Sequence, residues 1–262
     1  MTVQPPTPMP APAPVPRNRS ERVLPDAASA FVIVYRTLLR SVRTKGRLVS
    51  LAGLVGLAVL MALLSRSSPD VSELERGVGL ASAVISQLVA FGALLIASSV
   101  LGDLYDNGSI VYVVLRPVSG RVVAAAAWAA SCTIVLPAAI AAAASVVLVC
   151  GSDGLPAATV GAAVLAVAAY CGLFGLLGVV VRRALPVGVV FIVLWEGVVS
   201  RVGTAGAALS VSGYSRSVIV KVTGFHVKGA PFSMPTAVLV PLCVAVLTVL
   251  ATGVALERRE LP

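Results

Sequence analysis

The residues from Asp103 to Arg121 carry the densest group of structure-directing side chains in an otherwise uniform Ala, Val and Leu sequence. Asp106-Asn107-Gly108-Ser109 has the chemistry of a turn followed by a helix start. Glycine permits the turn, and the Ser109 hydroxyl can accept from the unpaired backbone amides just beyond it. Pro117 lacks a donor and biases Arg116 away from helix, so it closes the element. The spacing predicts a short apolar helix at about 110–115 between two membrane helices. Such an element is suited to docking rather than to bond-making. The other candidates point the same way. No G-x-x-x-x-G-K-[ST] loop exists, since Lys45 precedes Gly46, Lys221 precedes Val222 and Lys228 precedes Gly229. No G-x-S-x-G or H-E-x-x-H pattern occurs, and His226 has no second histidine to join it. Cys132, Cys150, Cys171 and Cys243 stand singly in or beside apolar stretches, without metal-ligand or disulfide spacing. No catalytic or metal-ligating constellation is predicted, and the chain is not expected to be an enzyme.

The elements that must position this segment follow from composition. The chain has 262 residues, of which 58% are hydrophobic and 12% charged, with a mean hydropathy of +0.99. Soluble proteins are about 25% charged, so this chain has too little charge to clothe a globule. Its apolar runs are long enough to cross a bilayer. The expected fold class is an all-α integral membrane protein. Six spans are predicted at about 48–65, 78–102, 122–150, 156–181, 186–203 and 235–256, within a membrane domain covering 48–256. Pro137 predicts a kink or tilt in the over-long third span. Only the fifth contains charged residues: Glu196 interrupts it and Arg201 closes it. An acid within a span should face the interior, pair or stay neutral, which makes it a possible pathway or gate residue; the neighbouring Trp195 equally suits a membrane boundary. An external loop is expected at 204–234, as short helices or as an ordinary loop.

Ahead of the spans, residues 1–26 alternate proline with small residues and predict a disordered cytoplasmic tail without the apolar core of a signal peptide. Residues 27–47 predict an amphipathic interfacial helix. Phe31, Val34, Tyr35, Leu38 and Val42 form its apolar stripe, and Arg36, Arg40, Arg43 and Arg47 its basic face. The net charge of +9 is read as a topology signal rather than as a nucleic-acid footprint. With the amino terminus inside, 14 Lys and Arg fall in inner segments and six in outer ones. Both termini, including the tail 257–262, are therefore expected in the cytoplasm of a plasma-membrane protein.

The run D-x-x-D-N-G-S-I-V-Y-V-V-L-R-P-V-S-G-R at 103–121 resembles the acidic G-T-L-E-x-L-L-x-x-P-x-S-R signature of permease subunits of type-2 ATP-binding-cassette (ABC) transporters. Asp106 takes an acidic position, Gly108 the glycine, Ser109 the threonine, Arg116-Pro117 the turn and Ser119 the serine. The layout of residues 27–259 is similar too. Two positions depart. Val111 stands where the family usually has glutamate, and Gly120 separates Ser119 from the expected arginine, found one place later as Arg121.

The resemblance implies an ATPase-coupling segment whose residues include Asp106, Gly108, Ser109, Ile110, Tyr112, Arg116, Pro117 and Ser119. It also implies a separate nucleotide-binding subunit carrying ATP and Mg, with no cofactor on this chain. A second permease copy or paralogue would complete a path for efflux. The partners expected are thus the ATPase, that second copy and the lipid bilayer. An ion-coupled secondary carrier would instead show interrupted helices and paired intramembrane ions, and a membrane-anchored scaffold would work through its proline-rich tail.

Overall fold

A computed structural model describes residues 27–66, 72–106, 119–150, 154–201, 203–224 and 232–259. The described residues are helical, without a strand. In chain order the helices are α1 (Ala27–Val42), α2 (Lys45–Ser65), α3 (Glu73–Ala83), α4 (Ala90–Asp106), α5 (Gly120–Cys150), α6 (Leu155–Val180), α7 (Ala184–Val190), α8 (Gly203–Ala208), α9 (Val211–Thr223) and α10 (Met234–Arg259). A π-helical turn, Val84–Val89, joins α3 to α4 in one continuous rod. A second, Phe191–Glu196, extends α7.

Five of these elements are long and apolar enough to cross a membrane: α2, the α3–α4 rod, α5, α6 and α10. Helices prevail because an apolar segment in lipid must satisfy its backbone internally. Local signals set the starts. The Ser72 hydroxyl accepts from Glu75 N at 3.3 Å, and Glu73 and Glu75 in the first turn complement the positive end of α3. Pro137 lies inside α5 without ending it.

The α3–α4 rod is 67% buried over its most apolar stretch and α2 only 17%, so the rod belongs to the interior of the bundle and α2 to its rim. At the centre is α6, packed against α4, α5, α9 and α10. Small residues let the backbones approach. A Cβ on Gly178 would come within 2.5 Å of the Ser98 carbonyl. Across α5 and α6, Trp128 Nε1 donates to the Ala168 carbonyl at 3.0 Å.

These crossings define two ends of the bundle. The end of α4, the start of α5 and the ends of α6 and α10 lie together, with Gly120 against Gly253 and Leu256; this is called the proximal end. At the distal end, Gly77 in α3 meets Cys150 and Leu155.

Two expectations need correction. The fifth predicted span, 186–203, is not a full crossing helix: its apolar helical part is Ala184–Glu196, about 20 Å at 1.5 Å per residue, against a hydrocarbon layer of about 30 Å. Gly197 and the capture of the Glu196 side chain by α9 end it. The lead-in helix also stops at Val42 rather than running to 47, because Thr44 is extended (φ −83, ψ 146) at the N-cap of α2.

Candidate functional site

The segment after α7 is built around one acid. In α7 and its π turn, Gly188, Ile192 and Glu196 are buried, while Leu185, Val187, Val189, Val190, Val193 and Leu194 are exposed. Buried positions four apart form one narrow inward stripe. Leu94 of α4 covers Gly188. The stripe ends in the carboxylate.

Glu196 is 1% exposed. Its Oε1 accepts from Val211 N at 3.0 Å and its Oε2 from Ser212 N at 3.2 Å. These are the first two amides of α9, groups that have no partner within the helix. The positive end of the α9 macrodipole also favours an anion there. The next amide, Gly213 N, donates to the side chain of the N-cap Ser210 at 3.1 Å. A carboxylate and a hydroxyl from two different segments thus cap one helix. Trp195 adds a second tie, donating from Nε1 to the Leu209 carbonyl at 3.0 Å.

Rings complete the enclosure. Tyr170 stacks on Phe174 with centroids 5.8 Å apart, Phe174 meets Phe191 edge-on at 6.2 Å, and Phe191 stacks on Trp195 at 6.3 Å. The Tyr170 hydroxyl is buried beside the Glu196 carboxylate but makes no hydrogen bond of good geometry to a described group. Tyr170 lies about 22 Å by helix rise from Leu155 and about 15 Å from Val180, so the acid sits deep between the two ends. From there α9 runs outward, and its last residues, Val222 and Thr223, reach Gly154 at the distal end. It is a half-crossing helix, and the external loop expected at 204–234 contains the two helices α8 and α9.

The charge of Glu196 within an apolar run marks it in the sequence; its partners are not marked in that way. Ser210 was legible as an N-cap three residues before Gly213. The amides of Val211 and Ser212, and Tyr170, carry no signal in the sequence.

The other predicted residues divide. Gly108, Ser109, Ile110, Tyr112, Arg116 and Pro117 lie outside the described residues, as does His226. Asp106 ends α4. Ser119 immediately precedes α5, its carbonyl accepting from Val122 N and Val123 N. The extra residue Gly120 has a packing reason: its Cβ would stand 2.8 Å from the Gly253 carbonyl, and one on Gly253 would stand 2.9 Å from Arg121 Cα. Arg121 Nε lies 3.9 Å from Glu257 Oε1 across this crossing.

On α1 the predicted apolar stripe rests on protein. Leu38 and Val42 are buried, Phe31 and Tyr35 stack, and the Tyr35 hydroxyl bonds Thr133 Oγ1 of α5 at 3.0 Å. Arg36 and Arg40 are exposed on the other face, Arg43 is exposed just beyond the end of α1, and Arg47 lies in the first turn of α2. Among the described residues no group of three or more His, Cys, Asp or Glu could hold a metal ion.

The architecture defines the class: an all-helical, multi-pass integral membrane protein. No protein-family model and no curated protein sequence matches the chain.

Proposed function

We propose that this chain is the permease subunit of a type-2 ABC exporter of the plasma membrane. A separate ATPase, carrying ATP and Mg, drives it, and a second permease copy completes the efflux path. The observation that carries the reading is the 103–121 pattern between α4 and α5, whose last residues, Gly120 and Arg121, seat directly on α10. A push on that connection has a rigid route into the bundle. Charge supports the orientation with both termini cytoplasmic: Arg36, Arg40, Arg43 and Lys45 precede α2 or begin it, Arg182 and Arg183 lie between α6 and α7, and Arg258 and Arg259 end α10. In this reading α7 with its π turn opens the fifth of six membrane segments, the one that breaks at Glu196 and is completed to the distal end by α9.

Purification of the tagged chain together with its neighbouring gene products tests the reading. A phosphate-loop ATPase should co-purify, and replacing Gly108 and Pro117 should sharply reduce its recovery. Absence of any ATPase, or recovery unchanged by those replacements, refutes it.

One observation favours a second reading as an ion-coupled carrier: two helices interrupted by π turns meet near a buried acid. Both oxygens of that acid are engaged by α9 amides, which argues for holding a helix rather than relaying an ion. Flux driven by a proton or sodium gradient in ATPase-free proteoliposomes would reverse the preference.

A further inference from the structure

We propose that α9 is a displaceable plug in the distal half of the bundle and that the Glu196 carboxylate is the latch that keeps it seated. The proposal needs only a membrane-embedded bundle and stands whether or not an ATPase drives the protein.

Three observations carry it. First, α9 is enclosed almost all round, from Val211 to Ser215 and from Ser217 to Val220, yet it is the polar member of the core. Ser212, Ser215 and Ser217 lie on it, and Ser215 and Ser217 spend their hydroxyls on the carbonyls of Val211 and Gly213. Serines bonded to their own helix tolerate enclosure and meet water equally well, as a helix that alternates between the two should. Second, the inner end of α9 is held by directional contacts: two amides on Glu196, one on Ser210, and the Leu209 carbonyl on Trp195. Removing the carboxylate leaves two buried amides without an acceptor, a cost that favours the displaced state. Third, the segment bearing the latch is seated through the narrow stripe Gly188, Ile192 and Glu196 and the half-buried rings of Phe191 and Trp195, while its Leu and Val side chains are exposed. A shift of that segment would carry the acid with it.

Glu196 is therefore a positioning residue. The mobile element is α9, and what enters behind it is water or a small polar solute from the distal side, to the depth of Glu196.

The test is thiol accessibility in proteoliposomes. With Cys132, Cys150, Cys171 and Cys243 replaced by alanine, S217C reports on α9 and A126C on buried α5. The probe is a membrane-impermeant maleimide. In the parent protein both thiols should react slowly. Glu196→Ala should speed labelling of S217C by about tenfold, the scale set by loss of a buried hydrogen bond, and leave A126C unchanged.

Because Glu196→Ala could impair folding, Val211→Pro is the second variant. Proline is favoured at the first helical position, and Ser210 already has the extended conformation (φ −119, ψ 141) that a residue before proline prefers. The change deletes the donor to Oε1 and leaves the acid in place. It should raise S217C labelling severalfold, and Glu196→Gln, which keeps one acceptor oxygen, should fall between the parent and Glu196→Ala. Unchanged S217C labelling in Val211→Pro overturns the proposal. So does an equal rise at A126C, which would mean general loosening.

Discussion

The two π turns, Val84–Val89 and Phe191–Glu196, are the same local event with opposite outcomes. They pack against each other, with Gln87 Nε2 beside Gly197. The first is absorbed: Ala90 continues the helix and the α3–α4 rod runs on as a crossing element. The second ends its helix and hands the chain over to α8 and α9. The turns themselves do not decide this, since a π turn is only an extra residue in a helix. The residues downstream of each turn do. Buried Ala90, Ala93, Leu94 and Ile96 reward continuation of the first, whereas Gly197 weakens the second and Glu196 gains two amide donors only if the chain turns back to bring α9 to it. A single acid thus converts a crossing helix into a half-crossing pair.

Substitutions can break or sharpen that contrast. The largest effect is expected from Gly213→Val in α9, whose Cβ would collide with the Ala207 carbonyl. Overpacking of this kind costs about 1–3 kcal/mol and should lower the thermal midpoint in nanodiscs most of the set. Removing the cap by Ser210→Ala should cost about 1 kcal/mol and speed hydrogen exchange at the start of α9 without affecting α4. Trp195→Phe keeps the ring stack and loses one hydrogen bond, at about 0.5–1.5 kcal/mol before the ring's replacement interactions are counted; its midpoint shift should not exceed that of Ser210→Ala. Ser86→Ala in the first π turn removes only a bond to the Ala83 carbonyl of its own helix, and its effect should fall below about 0.5 kcal/mol. If Ser86→Ala rivals Ser210→Ala in the same melting series, the two turns are not different in kind.

How much of this could be read beforehand depended on the range of the interaction responsible. Hydropathy is local, so α2, the α3–α4 rod, α5, α6 and α10 coincide with predicted spans to within a few residues. The amphipathic stripe of α1 was equally visible, because helical periodicity places Leu38 and Val42 on one side whatever lies beneath them. What lies beneath was not visible, and Thr133 as a partner for Tyr35 could not be inferred. Glu196 stood out as a charge in an apolar run. Its role was hidden, since the groups it binds are backbone amides, which every residue but proline possesses. The shortened fifth element has the same cause: Val198 and Val199 prolong the apolar run, and only the distant α9 explains why the helix stops.

The facing glycines at the base of α5 and α10 carry a consequence for how the sequence could drift. At most tight contacts, a bulkier residue on one side is tolerated once the other side shrinks. Here Gly120 meets Gly253 backbone to backbone, and neither has an atom left to surrender. Variation at either site would have to be accommodated by parting two whole helices, so among relatives of this chain the pair should change together with the helix spacing or stay as it is.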